Sequence, residues 1–380
     1  MSKRRFAARR PREEPSIDDA KAHVHVLVLS RYVPMAASSR LRFYQFIDDL
    51  GERGMTFDFA PLLGEDYLRR LYGTGSRSAR VLLRAYLRRA LALLQAGRYD
   101  LLWVQKELFP GLPAWGERLL AAAGIPYVVD YDDATFVTYR CHPSRLMRSI
   151  LGRKIDAVMA GACAVVAGND YLARYARSAG AKKVAVVPTL VQTRRYTGGP
   201  NYGRTDRFTI GWIGSPSTAA YIEEYRSALA ALTLDAATVF RSIGAWNLQL
   251  PDVRHEALEW SEETEVRDLT FCDAAIAPLR DGQWERGKCG YKILQCMAAG
   301  LPVVASPVGM ALEIVTHGTN GFFAATASEC ERILKDLRRD PALRQRIGQA
   351  ARRTIEERFS VVARAPELFA VLRDAVVRDL

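Results

Sequence analysis

The stretch GKCGYKILQCMAAGLPVVASPVG, residues 287–309, decides the fold. It follows the apolar run AAIAPL at 274–279, which has the continuous hydrophobic character of a strand buried on both faces. A polar loop with glycines, a short helix at about 290–299 and a second apolar strand at 302–308 come next. Strand, loop, helix and strand make a βαβ unit, and such a unit predicts a parallel sheet.

The helix in this unit has a polar face. Lys288, Lys292 and Gln295 recur at spacings of four and three residues, so they share one side of the helix, while the apolar residues between them pack on the sheet. Gly290 opens the helix, whose free N–H groups lie at the carboxyl end of the preceding strand and attract anions. This arrangement predicts a diphosphate site. The alternative is a solvated basic face on an ordinary surface helix.

The same stretch resembles the donor-binding signature of retaining GT-B glycosyltransferases, namely glycosyltransferase family 4 and its relatives. In that family a block such as EAMAAGLPVVAS begins with the second of two glutamates, and the first glutamate lies eight residues before it. Here QCMAAGLPVVAS stands in the place of the block. Gln295 occupies the position of the second glutamate and Gly287 that of the first. The resemblance implies that the first glutamate stabilises the donor sugar and that the second holds the ribose, which glutamine can still do. Glu285 or Asp281 is the candidate replacement for the first acid.

A second segment resembles the first turn of the family's donor domain. The run FTIGWI at 208–213 predicts a strand that delivers Gly214, Ser215 and Ser217 to the start of a helix from about residue 219, which is a second anion-binding element. The family usually places an arginine and a lysine there, and neither occurs between residues 211 and 224. We expect Lys288 or Lys292, with Arg286 as a further candidate, to supply the missing charge from the neighbouring loop.

A third segment, VGMALEIVTHGTNGFF at 308–323, resembles the family pattern GGxxEIVxxGxNGxL. The resemblance implies that Gly309 and the amides after it face the cleft at a helix start. It also implies that Glu313 holds a cleft lysine or the sugar, and the alternative is simple stabilisation of the helix dipole.

The first half of the chain contributes basic residues near its first strand. The run HVHVLVLS at 23–30 predicts that strand, and a helix follows at about 39–51 with Ser38 or Ser39 as its N-cap. By resemblance, this loop approaches the donor phosphates or the acceptor from across the cleft, so Ser39, Arg40 and Arg42 are candidate contacts. The alternative for the two arginines is solvent exposure.

Three acids end the strand predicted at 126–130, in the sequence DYDDA. Asp130, Asp132 and Asp133 lie at the carboxyl end of a parallel strand, where sites are usually built. The resemblance places Asp132 and Asp133 beside the transferred sugar and the acceptor hydroxyl, in a catalytic role with Lys292 and Glu285. An Asp-x-Asp metal site, helix capping and ion pairs with Arg140 or Arg145 are the alternatives, and we expect no metal.

Length indicates two domains, because 380 residues exceed what one core usually organises. We predict an α/β protein of GT-B architecture, with two Rossmann-like parallel-sheet domains facing a cleft. The expected organisation is a disordered basic tail at 1–22, an acceptor-side domain at 23–190, a linker at 191–206, a nucleotide-sugar-binding domain at 207–359, and a helix at 360–380 that returns to the first domain.

The formal net charge of +12 predicts an acidic partner. No motif for nucleic-acid binding is present, so we expect no nucleic-acid partner. Arginines recur every three or four residues in an amphipathic helix at 77–98, which predicts peripheral contact with an anionic membrane, and a solvated helix is the alternative. Scattered cysteines and the lack of a secretory signal predict a cytoplasmic location, at the inner face of the membrane if that helix docks.

The predicted activity is therefore transfer of a sugar from a nucleotide-diphosphate sugar, with UDP as the working choice of carrier, to an acceptor hydroxyl. The resemblance implies retention of configuration and no obligatory cofactor. The acceptor is unspecified, and a lipid-linked intermediate of polysaccharide or glycoconjugate biosynthesis suits the basic helix. Loss of both glutamates leaves two alternatives, a non-catalytic nucleotide-sugar-binding subunit and a nucleotide-sugar epimerase of the same fold.

Overall fold

The computed structural model describes residues 23–74 and 79–376, which form two parallel sheets of six strands each. The first sheet has the order β2-β1-β3-β4-β5-β6 and comprises β1 Val24–Leu29, β2 Met55–Phe59, β3 Leu101–Gln105, β4 Tyr127–Tyr131, β5 Ala164–Ala167 and β6 Val184–Val186. The second has the order β12-β11-β10-β7-β8-β9 and comprises β7 Phe208–Ile213, β8 Thr238–Ile243, β9 His255–Leu258, β10 Ala274–Ala277, β11 Val303–Ala305 and β12 Phe322–Phe323. The predicted fold class is confirmed.

Helices cover both faces of each sheet, as parallel strands require. The helices of the first half are α1 Ala37–Arg42, α2 Ile47–Gly51, α3 Glu65–Thr74, α4 Ala79–Leu94, α5 Trp115–Ala122, α6 Thr135–Arg140, α7 Arg145–Leu151, α8 Lys154–Gly161 and α9 Asp170–Ser178. Those of the second half are α10 Arg226–Thr233, α11 Glu265–Thr270, α12 Gln283–Arg286, α13 Tyr291–Ala298, α14 Ala311–Ile314, α15 Ala327–Arg339, α16 Pro341–Arg358 and α17 Val361–Val376. Short 3₁₀ segments lie at Tyr44–Phe46, Ala96–Arg98, Thr193–Arg195 and Pro216–Tyr225.

Strand residues alternate between two apolar layers. In β4, Val128 packs with Trp103 in one cluster, and the next residue, Val129, belongs to a second cluster with residues of α5, α8 and α9. Both valines are fully buried. Because successive side chains of a strand point to opposite faces, the continuous apolar runs of the sequence are the mark of strands covered on both sides.

The chain passes between the two sheets twice, and the two passages are paired with each other. The Val191 N–H donates to the Phe359 carbonyl at 2.9 Å, and the Val361 N–H donates to the Val191 carbonyl at 3.1 Å. The last helix, α17, then packs against α2, β3 and β4 of the first sheet, with Leu368 and Leu372 buried in the cluster that contains Trp103. The two segments that link the domains are therefore hydrogen-bonded to each other through their backbones.

Several helices differ from the sequence prediction. The helix expected at 39–51 is broken into α1, a 3₁₀ turn and α2, because Phe43 and Phe46 both turn into the core there. The helix expected from residue 219 is a 3₁₀ helix, Pro216–Tyr225, that continues into α10. The basic helix predicted at 77–98 is described from Ala79, and one of its arginines, Arg89, is buried and donates to the carbonyls of Ser30 and Ala60. The predicted tail at 1–22 and residues 377–380 lie outside the described residues.

Arg42 lies in the core of the first domain, contrary to both of its predicted roles. It is 2% exposed, and its Nε and Nη2 atoms lie 2.7 and 3.0 Å from the two carboxylate oxygens of Asp130. A third donor, Nη1, reaches the Val187 carbonyl at 2.8 Å. The bidentate pair ties α1 to the ends of β4 and β6, so neither Arg42 nor Asp130 is available to a ligand.

We expect Arg42→Met to lower the free energy of unfolding by about 3–5 kcal/mol, because Asp130 would be left as an uncompensated buried charge. The double variant Arg42→Met/Asp130→Leu should recover most of this loss, since apolar residues of similar volume can replace a buried pair. Chemical denaturation measures both, with the exposed Arg353→Met as the matched control. A double variant as unstable as the single one would contradict the interpretation.

Candidate active site

A cavity of about 710 Å³ lies between the two domains, at the carboxyl ends of both sheets. The second domain contributes the loop after β7 and the start of α13, and the first domain contributes α1 and the loop after β4. Six of the residues predicted to contact substrate from opposite sides line it together: Asp132, Asp133, Gly214, Lys288, Lys292 and Gln295. The cavity is the place where the two halves of the chain can act on one ligand.

Two lysines face the cavity from the second domain without an acidic partner among the described residues. The Lys292 ammonium donates to Thr218 Oγ1 at 2.6 Å and lies 4.4 Å from the centre of the Trp212 ring. Lys288 lies over the rings of Tyr221 and Trp284, at 5.9 and 5.7 Å. Burial and the neighbouring charge of Lys288 lower the pKa of Lys292 to about 7. An anion in the cavity would therefore meet two amino groups that form no ion pair with a described residue, and its charge would favour the protonated form of Lys292.

The start of α13 adds uncharged donors beside these lysines. Gly290 has a left-handed backbone with φ of 65°, where a Cβ atom would lie 2.9 Å from Ile314 Cδ1. The N–H groups of Gly290 and Tyr291 bond to no other group that the structure describes, and both residues line the cavity. One turn further on, Gln295 is 5% exposed, lines the cavity, and has no side-chain partner in the described part of the chain. These groups supply hydrogen bonds that a ligand can complete.

On the opposite wall, a buried lysine holds the acids that follow β4. Lys106 Nζ lies 2.8 Å from Asp132 Oδ1 and 2.8 Å from Asp133 Oδ2. Asp132 also accepts a hydrogen bond from Ser38 Oγ, which in turn accepts one from Gln105. Lys106 has φ of 64°, unusual for a residue with a side chain, and it directly follows β3. The strained backbone places its ammonium between the two carboxylates.

The surroundings shift the pKa values of the two acids in opposite directions. Burial would raise the pKa of Asp132, but the Lys106 charge and its hydrogen bond override burial and hold the pKa below its usual range. Burial raises the pKa of Asp133, the Asp132 charge adds to that rise, and Lys106 and Lys288 only partly oppose it. Two carboxylates with opposite shifts suit an electrostatic role for Asp132 and a proton-transfer role for Asp133.

The loop that carries Lys288 lies directly against the first domain. The side-chain amide of Asn169 donates to the carbonyls of Arg286 and Lys288, at 3.3 and 3.1 Å. Cys289 Sγ donates to the Asp132 carbonyl at 3.1 Å. A Cβ atom on Gly287 would lie 2.5 Å from Ala134 Cβ and 2.7 Å from Ala134 N, closer than such atoms come. Glycine at 287 is thus a condition of this contact, and no carboxylate fits at the position of the first family glutamate.

Aromatic side chains form another part of the cavity wall. Trp246 and Trp260 line it after β8 and β9, and Arg40 of α1 lies 5.3 Å from the Trp260 ring, so this contact bridges the two domains. The Trp260 indole N–H donates to the buried Glu265 at 2.7 Å, which fixes the ring. A fixed, partly exposed indole offers a stacking surface for a planar group.

The remaining predicted site residues divide by position. Gly290, Ser215 and Arg40 line the cavity. The others do not line it. Ser39 is fully buried with its Oγ bonded to Gln105, and Ser217 bonds Ser215 at the surface. Glu285 accepts a hydrogen bond from Tyr221, Gly309 packs on the backbone of Arg286, and Glu313 lies near Asp170 of α9. Asp281, the other candidate acid, pairs with Arg286 at the surface. Neither candidate therefore reaches the cavity wall in place of the missing glutamate.

Sequence reasoning missed three groups in this region. Lys106 is the most important. The polar triplet Gln105-Lys106-Glu107 at the carboxyl end of the apolar strand β3 is the same signal that drew attention to the acids at the end of β4. Thr218 and Tyr221, which contact Lys292 and Lys288, carried no signal, because a hydroxyl in a turn is common and its partner is distant in sequence.

The architecture is that of the GT-B glycosyltransferases. The chain is similar to the sucrose-phosphate synthase of Thermosynechococcus elongatus, with a TM-score of 0.71 and 16% identity, over 93% of this chain and 98% of that one. It is also similar to HepE of Anabaena, solved with UDP-glucose, with a TM-score of 0.68 and 17% identity, over 93% of this chain and 100% of that one. A glycosyltransferase of Rickettsia africae is similar with a TM-score of 0.66 and 14% identity, over 94% of this chain and 100% of that one.

Residues 256–339, which include β10, α13 and β11, match the family model described as "Glycosyl transferases group 1". The match covers the stretch at 287–309 on which the sequence resemblance rested, and together with the fold it confirms the resemblance to GT-B glycosyltransferases of group 1. No curated protein matches the chain.

We expect Gly287→Ala to lower the free energy of unfolding by about 1–3 kcal/mol, because the added methyl group would push the loop away from the Ala134 backbone. Gly199→Ala is the matched control, since a Cβ atom there meets nothing within 4 Å. Denaturation curves for the two variants give the comparison. Equal stability of both would show that the contact between residues 287 and 134 is absent in solution.

Proposed function

We propose that this chain is a glycosyltransferase that moves a sugar from a nucleotide-diphosphate sugar, with UDP as carrier, to an acceptor hydroxyl with retention of configuration. The observation that carries the proposal is the pair Lys288 and Lys292, which face the interdomain cavity beside free N–H groups and have no carboxylate partner among the described residues. This is the chemistry that binds a diphosphate. The choice of UDP is supported by the fold shared with HepE, which was solved with UDP-glucose.

In the proposed complex, the diphosphate lies on Lys288, Lys292 and the start of α13. Gln295, whose side chain lines the cavity and has no hydrogen-bond partner in the described part of the chain, bonds a ribose hydroxyl. Trp260 or Trp246 stacks on the base, since both line the cavity after the neighbouring strands β8 and β9. The donor is then held entirely by the second domain, and the wall formed by the first domain is left for the sugar and the acceptor.

The proposed transfer step uses groups on both walls. The bond between the anomeric carbon and the diphosphate oxygen breaks, and its electron pair goes to the diphosphate, whose charge Lys288 and Lys292 neutralise. The acceptor oxygen forms the new bond to the anomeric carbon, and its proton passes to Asp133, whose raised pKa suits a general base. Asp132, held ionised by Lys106, stabilises the positive charge that develops on the sugar ring.

The proposal extends to the biological role, which we take to be cell-surface polysaccharide or glycoconjugate biosynthesis at the cytoplasmic face of a membrane. An acceptor carried on a lipid suits this role, because helices of the first domain expose arginines and large apolar side chains.

A non-catalytic nucleotide-sugar-binding subunit is the second candidate, and Gly287 is the observation that favours it. The acid of the donor domain is absent there, and the contact with Ala134 leaves no space for one. Such a subunit would bind the donor but would neither transfer nor hydrolyse the sugar. An epimerase of the same fold would release an altered sugar without an acceptor.

We expect calorimetry with UDP, GDP, ADP and dTDP to show micromolar binding of one diphosphate, with and without magnesium. Lys292→Ala should weaken that binding and lower kcat by about ten- to a thousandfold, because it removes charge from the departing diphosphate. Lys182→Ala, an exposed lysine of the first domain, is the matched control. Product analysis by NMR gives the anomeric configuration. Absence of binding to all four nucleotides would overturn the proposal, and binding without turnover would favour the non-catalytic subunit.

The pH dependence of binding tests the role of Lys292 directly. Because its pKa in the free protein is lowered to about 7, the protonated form that an anion prefers is lost as pH rises above 7. The contribution of Lys292 to the affinity for UDP should therefore be complete below pH 7 and fall by up to about tenfold per pH unit above it. Lys292→Arg keeps its charge and should remove this dependence between about pH 7 and 9. The same slope in both proteins would exclude Lys292 as its source.

A further inference from the structure

Three helices on one side of the first sheet expose large apolar side chains. They are Leu83, Leu87, Leu91 and Leu94 of α4, Trp115 and Leu119 of α5, and Leu146 and Ile150 of α7, with exposed fractions between 54% and 82%. The three helices connect β2 to β3, β3 to β4 and β4 to β5, steps that all run in the same direction across the sheet. Right-handed crossovers therefore place them on the same face. We call this set of side chains the outer apolar face.

On α4, the leucines form a stripe. At 3.6 residues per turn, the four leucines fall within an arc of about 80°. The side of the helix that holds it to the domain is different: Ala85 and Arg89 are buried, and the Tyr86 hydroxyl bonds the Pro110 carbonyl. The leucine stripe consequently faces solvent, where exposed apolar surface of this extent marks an interaction site.

Every exposed charged residue on these three helices is an arginine. Arg80, Arg84 and Arg88 lie beside the leucine stripe of α4, Arg118 lies beside Leu119 of α5, and Arg145 lies beside Leu146 of α7. None of the five forms an ion pair with a described residue. The acid of α5, Glu117, is buried and accepts from the Leu108 N–H. The outer apolar face thus combines apolar groups with positive charge that the protein leaves uncompensated.

We propose that the outer apolar face docks on an anionic lipid bilayer. The leucines and Trp115 enter the boundary between headgroups and acyl chains, and the arginines bind lipid phosphates. A second copy of the chain is disfavoured, because a symmetric contact would bring the same arginines together. No helix among the described residues is long and apolar enough to cross a membrane, so the contact is with one surface only. The inference is independent of the proposed transfer reaction.

The test is cosedimentation of the full chain with vesicles of phosphatidylcholine, alone or mixed with phosphatidylglycerol. We expect binding to the mixed vesicles only, weakened by salt. The charge reversal R80E/R84E/R88E should lower the partition coefficient roughly a hundredfold, since each basic residue near an anionic leaflet contributes about a factor of five. The exposed triple R339E/R353E/R373E, with the same change in charge on α15, α16 and α17, should retain most of the binding.

A second variant, L83S/L87S/L91S, tests the apolar part and should lower binding by about tenfold or more, with L234S as its control. Thermal melting verifies that each variant is folded. Undiminished binding by both α4 variants would place the contact elsewhere, including the basic residues at 1–22, and would overturn the proposal. Three other results would overturn the proposal. They are equal binding to neutral and mixed vesicles, no binding to either, and concentration-dependent dimerisation that the leucine variant abolishes. Because no nucleotide sugar is present, failure here leaves the proposed transfer reaction untouched and removes only the membrane location proposed with it.

Discussion

The backbone of residues 286–290 lies against the end of β4, and this contact sets the geometry of the cavity. Asn169 holds two carbonyls of the loop, Cys289 bonds the Asp132 carbonyl, and Gly287 meets Ala134 without space for a side chain. The neighbouring Lys288 is thereby directed into the cavity, close enough to Asp133 that its charge partly opposes the rise in the pKa of that acid caused by burial. Close backbone packing thus brings groups from two domains within electrostatic reach of each other.

Charge is distributed unequally over the two walls of the cavity. On the first domain, Lys106 compensates Asp132 and Asp133, at the expense of a left-handed backbone. On the second domain, Lys288 and Lys292 contact aromatic rings and a hydroxyl and form no ion pair with a described residue. Burial and the neighbouring charge of Lys288 lower the pKa of Lys292 to about 7. A bound diphosphate would restore the charge of Lys292, so ligand and lysine stabilise each other.

The sequence was sufficient for the architecture, because strands buried on both faces appear as continuous apolar runs and helix α13 appears as a periodic segment between two of them. The resemblance to GT-B glycosyltransferases also placed Asp132 and Asp133 across a cleft from Lys288 and Lys292, which a rule about one sheet edge could not do, because the two pairs belong to different sheets. The sequence could not reveal that Arg42 pairs with Asp130, 88 residues away, or that Gly287 abuts Ala134. Such contacts depend on how the elements pack, and local pattern carries no information about them.

The loss of the family glutamates has a consequence for the proposed mechanism. An acid on the nucleotide-binding domain would meet the sugar whenever the donor is bound. Asp133 belongs to the opposite domain, so it meets the sugar only when the loop at 286–290 lies against β4. Catalysis would then depend on this closed arrangement of the domains. A donor bound to the open form would be protected from hydrolysis, because the group that receives the proton is out of reach.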